Sequence, residues 1–398
     1  MNNYRFARWV AAAAAVSMVA AACGSSKAAE EAAAPEAAAT TAAAAAPAAA
    51  ACTTPDPVKL QLQWVTQSQV AGYFAAADMG IYKEYCLDVT VLEGAVEIVP
   101  QQQLADGAAD FAISWVPKAL ASREAGADIV NIAQVFQRSG TLQVSLKGSD
   151  IKGIGDLKGK KVGNWGFGNE FEVFAGLTKA GLDPAKDVTH VQQDFNMNAL
   201  LAGDIDAAEA MTYNEYAQVL ETENPDTKKL YTADDLNVIS YEAEGVGMLQ
   251  DAIWADGKKL ASDAKYKDIA TRFVAASLQG WAYCRDNLQP CADIVVKRGA
   301  PFGGPSHQLW MMNEINKLIW PAAAGAGMID VAAWDRTAKL AQETKNTDGA
   351  TVLTKAPDAG AYTNDIVTAA LALVDAKGID TKGAGYKPTD VTPTAGGA

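Results

Sequence analysis

Val58-Lys59-Leu60-Gln61-Leu62, then Ala71–Ala77, then Leu87-Asp88-Val89-Thr90-Val91-Leu92: the order strand, helix, strand decides how the fold is read. Val58, Leu60 and Leu62 alternate with polar residues at period two, as on a half-buried strand, and the small apolar block after Val70 suits a helix. Two strands separated by a helix pair in parallel through a crossover. The same alternation continues outward. Ile98–Ala105 reads as helix, Phe111-Ala112-Ile113-Ser114 as a short buried strand, Pro117–Ala125 as helix and Ile129–Val135 as strand. A second unit begins near Gly140, with strands at Thr141–Leu146, Lys161–Gly163, Val188–Gln192 and Ala207–Met211. Helices at Glu170–Ala180 and Met197–Ala202 fall between them. Long amphipathic helices at 265–287, 306–320 and 330–342 return to the first unit. This is an α/β pattern. We expect two doubly wound lobes, the second inserted into the first: lobe 1 over 56–142 and 240–375, lobe 2 over 143–239, and a disordered tail over 376–398. The two chain crossings, near Ser139–Val144 and Val238–Gly247, form a hinge, and ligands bind in the cleft at the strands' carboxyl ends.

Upstream, Arg5 and Arg8 precede an apolar run from Trp9 to Val19 and Ala20-Ala21-Ala22-Cys23-Gly24-Ser25-Ser26. A basic start, a short apolar run and small residues form an export signal, over 1–22. Cys23 suits a lipid acceptor, with Ala20 where leucine is usual; the alternative is an ordinary signal cleavage that releases the protein. Residues 23–55 are dominated by Ala, Pro, Glu and Thr, a linker with nothing to anchor a core. The chain has 47 acidic and 33 basic residues, net −14, and losing the leader removes only Arg5 and Arg8 from that balance. Nucleic acid and anionic lipid surfaces are poor partners for such a body. Apart from Cys23 the cysteines are Cys52, Cys86, Cys284 and Cys291, an even number that fits an oxidising location. Three pairings are open. Cys284 and Cys291 flank a helix end, and Cys52 and Cys86 each precede a predicted strand, so 52–86 with 284–291 is favoured. Two histidines, His190 and His307, and no Cys-x-x-Cys pair make a metal site a weak alternative.

Gln63-Trp64-Val65-Thr66-Gln67-Ser68-Gln69-Val70-Ala71-Gly72-Tyr73-Phe74, Gly80-Ile81-Tyr82 and Asp156-Leu157-Lys158-Gly159-Lys160-Lys161-Val162-Gly163 resemble the SsuA/THI5-like group of ABC-importer solute-binding proteins, which take thiamine pyrimidines, sulfonates and riboflavin. Trp165-Gly166-Phe167-Gly168-Asn169-Glu170 and Tyr213-Asn214-Glu215-Tyr216 are similar to the riboflavin-binding branch. The resemblance runs from about residue 58 to 345 and implies a two-lobed periplasmic-binding-protein type II fold, a membrane permease as partner and no enzymatic activity. In the pyrimidine branch the first motif commonly reads Trp-x-Pro-Asn-x-x-His-x-Gly. Here Thr66, Gln67 and Val70 stand at the proline, asparagine and histidine positions. The fungal enzymes of that branch consume this histidine, so they are not the model for this chain.

Candidate ligand contacts follow from strand ends. Trp64 follows the first strand and Trp115 the Phe111–Ser114 strand, each a flat face suited to a planar heterocycle or, alternatively, to the core. Gln67 and Gln69 offer donor and acceptor pairs for a ring imide. Tyr73, Ser114, Gly166 and Phe167 belong to the same motifs and strand ends. The Gly163-x-x-Gly166-x-Gly168 loop is not a dinucleotide fingerprint. It leads to Asn169, read as a helix N-cap with Glu172 as capping partner, and Trp165 and Glu170 flank the loop. Tyr213, Asn214 and Glu215 follow the Ala207–Met211 strand, and Asn196 is a weaker candidate. Trp310, Met311, Met312, Ile315, Leu318, Ile319 and Trp320 have helical spacing and read as core.

No Gly-x-Ser-x-Gly elbow, P-loop or His-Glu-x-x-His occurs, which argues against a hydrolase, an NTPase or a zinc protease. The expectation is a monomeric, lipid-anchored receptor on the outer face of the cell membrane, without cofactor. It holds a flavin or pyrimidine-like ligand, riboflavin favoured. A sulfonate receptor, an exported enzyme on the same fold and a sensor or adhesion lipoprotein are the alternatives.

Overall fold

Parallel and antiparallel strand pairs both build the sheets of the structure, a computed structural model that describes residues 52–398. The signal segment, Cys23 and the linker up to residue 51 lie outside the described residues. The first sheet runs β2-β1-β3-β10-β4, built from β1 (Asp56–Gln61), β2 (Leu87–Leu92), β3 (Phe111–Trp115), β4 (Ile129–Gln134) and β10 (Asp251–Asp256). β1 pairs in parallel with β2 and β3, and β10 returns antiparallel between β3 and β4. A second sheet has the order β8-β5-β9, from β5 (Thr141–Leu146), β8 (Ala208–Met211) and β9 (Leu236–Ser240), all antiparallel. β6 (Lys161–Asn164) and β7 (Thr189–Gln192) pair in parallel, and the bridge Val162–Ala207 ties them to the start of β8. The fold is therefore mixed α/β with two sheet-bearing lobes. Antiparallel β10 and the β8-β5-β9 sheet correct the purely doubly wound expectation, because strands that arrive from the other lobe enter without a crossover helix.

The first lobe closes on its long helices. Ala264–Asp286 packs on Ala71–Asp78 and buries Trp281 and Phe273, the latter stacked on Phe111 at 4.4 Å between centroids. Pro305–Ile319 buries Met311, Met312, Ile315 and Ile319. Rings of this size each contribute roughly 1.5–3 kcal/mol on burial, which fixes the sheet from one side. Both favoured disulfides are present. Register explains the first: Asp56 faces Leu87, so the residues entering β1 and β2 lie side by side. The 376–398 segment corrects the expectation of disorder. Thr389 N–H donates to Asn313 Oδ1 at 3.0 Å, Gly396 N–H to Glu221 O at 2.9 Å, and Gly397 is buried. Its Gly and Thr content reads as loop, but those small residues are what allow it to lie against the Pro305–Ile319 helix.

Two chain crossings, through 137–140 and 241–250, join the β2-β1-β3-β10-β4 sheet to the β8-β5-β9 sheet. Gly140 N–H donates to Gln250 Oε1, and Gln250 Nε2 donates back to Thr141 Oγ1 at 2.7 Å, so the two crossings are laced together. Among the described residues no helix is long and apolar enough to cross a membrane.

Candidate functional site

The carboxyl ends of β1, β2, β3, β6, β7 and β8 converge on a cleft of about 430 Å3 between the lobes. Loops at strand ends carry side chains away from the ladder, which is why this edge collects the polar and aromatic groups. From the first lobe come Gln63, Trp64, Gln67 and Gln69, then the 95–101 loop, then Trp115 and Lys118; from the second come Trp165, Phe167, Asn169, Phe195, Tyr213, Asn214 and Glu215.

Trp64 is held by its backbone. Gly94 N–H donates to Trp64 O at 3.1 Å, and a Cβ on Gly94 would lie 2.4 Å from Trp64 N, so only glycine permits this approach. Across the cleft Phe195 sits 4.6 Å from Trp64, tilted, and 6.2 Å from Trp165, nearly parallel, giving three aromatic rings in series. Trp165 precedes three residues with left-handed φ: Gly166 at 71°, Phe167 at 56° and Gly168 at 82°. Phe167 takes that unfavourable conformation with its ring largely exposed at the cleft.

Polar groups are fewer and mostly buried. Asp251, the first residue of β10, accepts from Trp115 Nε1 at 2.6 Å and from Gln69 Nε2 at 3.0 Å. Gln69 Oε1 in turn accepts from Gln67 Nε2 at 2.7 Å. Burial pushes Asp251 up to about 7, against the pull of those two donors. Burial likewise raises Glu215 to about 7, although it accepts from Met211 N and Asn214 Nδ2. Glu209, behind Trp165 and accepting its N–H at 2.9 Å, is pushed well above the usual carboxylate range by burial. Lys118 is the cleft's lining cation. It donates to Asn169 Oδ1 at 2.7 Å across the cleft and lies 5.2 Å from the Trp115 ring centre. Desolvation lowers it to about 8, opposed by Glu170, Glu209 and Asp251. Such a lining offers aromatic faces and a few hydrogen-bonding groups, with little positive charge for an anion.

Of the residues read from the sequence, Trp64, Gln67, Gln69, Trp115, Trp165, Phe167, Asn169, Tyr213, Asn214 and Glu215 come together on this cleft. Five lie off its lining. Tyr73 is buried in its helix, edge-on to Trp281 at 5.6 Å. Ser114 is buried within β3 and donates to Trp115 O. Gly166 serves the turn, its carbonyl accepting from Asn169 N–H and Nδ2. Glu170 turns back on Gly168 N–H at 2.9 Å, and Asn196 accepts from Asn198 N–H. The capping reading is corrected as well. The helix is Phe171–Lys179, Asn169 makes no cap bond, and Glu172 is buried against Ser139 and Met248. Burial beside the chain crossings outweighs the local capping preference. Lys118, Phe195, Val96 and Val99 were missed. Lys118 stands alone in the apolar first turn after Trp115, a usable signal; Phe195 and the valines look like any loop residues. Among the described residues no three His, Cys, Asp or Glu side chains gather as metal ligands.

Known proteins give the chain a setting. 4-Amino-5-hydroxymethyl-2-methylpyrimidine phosphate synthase THI13 of Saccharomyces cerevisiae is 27% identical over 154 residues, 38% of this chain and 45% of that protein. The chain spans about half the length of the curated relatives it matches. Among solved structures, a protein of Bordetella bronchiseptica RB50 superposes with TM-score 0.57 at 18% identity, covering 80% of this chain and 98% of that one. The alkanesulfonate-binding protein SsuA of Xanthomonas axonopodis pv. citri, bound to MOPS, gives 0.52 at 16%, covering 73% and 92%. At these identities the likeness shows the periplasmic-binding-protein fold. The sequence profile of the family described as NMT1/THI5 like matches residues 67–289, more than half of the chain, and the chain belongs to that family.

Proposed function

We propose that the chain is the extracytoplasmic solute-binding component of an ABC importer, held to the cell membrane through Cys23, that captures a planar heterocycle and presents it to a permease. Riboflavin is the favoured ligand. The observation that carries this reading is the aromatic series Trp64, Phe195 and Trp165, contributed by both lobes and joined on the cleft by Trp115. Each lobe supplies part of the site, so a ligand that touches both favours closure about the 137–140 and 241–250 crossings. Lobe boundaries at 142–143 and 239–240 follow from the same reading.

An anionic ligand such as a sulfonate suits the cleft less well. Lys118 is its lining cation, and Glu215 and Asp251 are close by. The synthase reading, which the yeast relative's name raises, meets a different obstacle. The position of the histidine those enzymes consume is Val70, buried in this chain, and His307 lies behind Asn214 with its Nδ1 facing Glu221 at 3.0 Å. A binding role without turnover, in a monomer without cofactor, is therefore our reading.

The test is titration of the purified protein with riboflavin, following flavin and tryptophan emission together. Saturable quenching of both at one site per chain, weakened about 5- to 150-fold in Trp64→Ala and Trp165→Ala, is the expected result. Absence of quenching in the unmodified protein would move the ligand to a pyrimidine or a sulfonate.

A further inference from the structure

Three cleft-lining residues carry a buried polar atom with no partner: Gln67 Oε1, Gln101 Oε1 and Trp165 Nε1. Gln67 is 1%, Gln101 4% and Trp165 3% exposed, so water does not satisfy them from the surface. The two amide oxygens are acceptors and the indole N–H is the one donor, and of the two amides Gln67 is the one tied to Asp251 through Gln69. The polarity of Gln67 is not arbitrary, because an amide can be turned over and the network decides which way it faces. The decision starts at Asp251. A carboxylate only accepts, so Gln69 must turn its Nε2 to Asp251 Oδ2, at 3.0 Å. That leaves Gln69 Oε1 to accept from Gln67 Nε2, at 2.7 Å, and leaves Gln67 Oε1 as the free end. Gln69 is used up by this relay on both sides. Trp115 Nε1 is occupied by Asp251 Oδ1 at 2.6 Å, so Trp115 has only its ring to offer.

We propose that the ligand presents a ring N–H to Gln67 Oε1 and a carbonyl or ring-nitrogen acceptor to Trp165 Nε1, and that Asp251, acting through Gln69, is the positioning residue that sets this polarity. An imide or lactam heterocycle carries both groups. This rests on the planar-heterocycle reading above and narrows it: a ring whose imide nitrogen is alkylated is refused, although it stacks equally well. Gln67 and Trp165 are the specificity-determining pair, and their unpaired state in the free protein is relieved when such a ligand enters.

Asp251→Asn provides a sharp test. Trp115 Nε1 pins the oxygen of the new amide at the Oδ1 position, so its nitrogen takes the Oδ2 position and faces Gln69. Gln69 must then offer its oxygen, its nitrogen turns to Gln67, and Gln67 presents Nε2 to the cleft. The relay inverts from acceptor to donor without a change of shape. The experiment compares riboflavin with 3-methylriboflavin, by fluorescence titration at about pH 9, where Asp251 is ionised. We expect the unmodified protein to prefer riboflavin by about tenfold or more, and Asp251→Asn to abolish or reverse that preference. Gln67→Met, which leaves Asp251 and Gln69 in place, should also bring the two ligands level, and covers the case in which Asp251→Asn does not fold. Trp165→Phe should weaken both ligands by a similar factor. Equal binding of the two flavins by the unmodified protein overturns the inference and leaves the flavin receptor standing. A preference that survives unchanged in both Asp251→Asn and Gln67→Met assigns it to the bulk of the methyl group and overturns the relay. Failure of riboflavin to bind at all overturns the flavin reading and this inference with it.

Discussion

Glu172→Gln should flatten the dependence of stability on pH between about 4.5 and 7. Glu172 lies in the Phe171–Lys179 helix of the second lobe, accepts from Ser139 Oγ at 3.0 Å and also accepts from Met248 N–H, so one carboxyl touches both chain crossings. Burial pushes it from 4.5 up to about 7, and the hydrogen bonds it accepts pull it back only in part. The sign follows from proton counting. The folded protein keeps this proton to higher pH than the unfolded chain, so the stabilisation is complete below the unfolded value and is lost as pH rises through the folded one. At about 1.4 kcal/mol per pH unit, over the interval from 4.5 to about 7, the loss approaches about 3.5 kcal/mol. Glutamine does not titrate. Its amide nitrogen would meet the Ser139 hydroxyl, which already accepts from Thr141 N–H and Gln250 Nε2, costing about 1 kcal/mol at every pH. The variant is thus expected to be less stable than the parent at about pH 5 and more stable at about pH 8. Urea unfolding of both proteins at the two pH values measures the gap. A gap of the same size and sign at both would refute the assignment of Glu172 as a buried, protonated link between the crossings.

The remaining predictions concern the cleft and its frame. Lys118 is lowered to about 8 by desolvation, so the folded protein binds fewer protons than the unfolded chain between about 8 and 10.5, and stability rises through that window. Lys118→Met should remove that rise in thermal melts across the range. Phe195→Ala should weaken flavin binding about 2- to 10-fold in the same fluorescence titration, by removing the ring between Trp64 and Trp165. Gly94→Ala should cost about 1–3 kcal/mol in urea unfolding and shift the tryptophan emission, because its Cβ collides with the Trp64 backbone. Replacing Cys52 and Cys86 by serine should cost about 4 kcal/mol, and replacing Cys284 and Cys291 about 2 kcal/mol, since the bridged separations are 34 and 7 residues.

The parts of the fold legible in the sequence are those in which local pattern and tertiary role agree. Val58, Leu60 and Leu62 alternate because β1 has one face toward the long helices, and Trp64 and Trp115 stand at strand ends because that is where the chain emerges into the cleft. What could not be read depends on segments far apart in the chain. β10 begins at Asp251 after the mixed stretch Glu244-Gly245-Val246-Gly247-Met248-Leu249-Gln250, and nothing local says that Asp-Ala-Ile-Trp-Ala-Asp will enter the interior of a sheet begun nearly two hundred residues earlier. Yet that entry is what puts a carboxylate under Gln69 and Trp115. Gln67 and Gln69 read alike in the sequence, two amides two residues apart, and the return strand makes them different: Gln69 is committed to Asp251, and Gln67 is left with its oxygen free. The aromatic faces that admit a planar ring were thus legible from strand ends, whereas the polarity that chooses among planar rings is set by a residue of the returning chain. A substitution at Asp251 should therefore change which heterocycle is preferred while leaving the stacking contribution of Trp64 intact, and measuring both in one protein separates the two contributions.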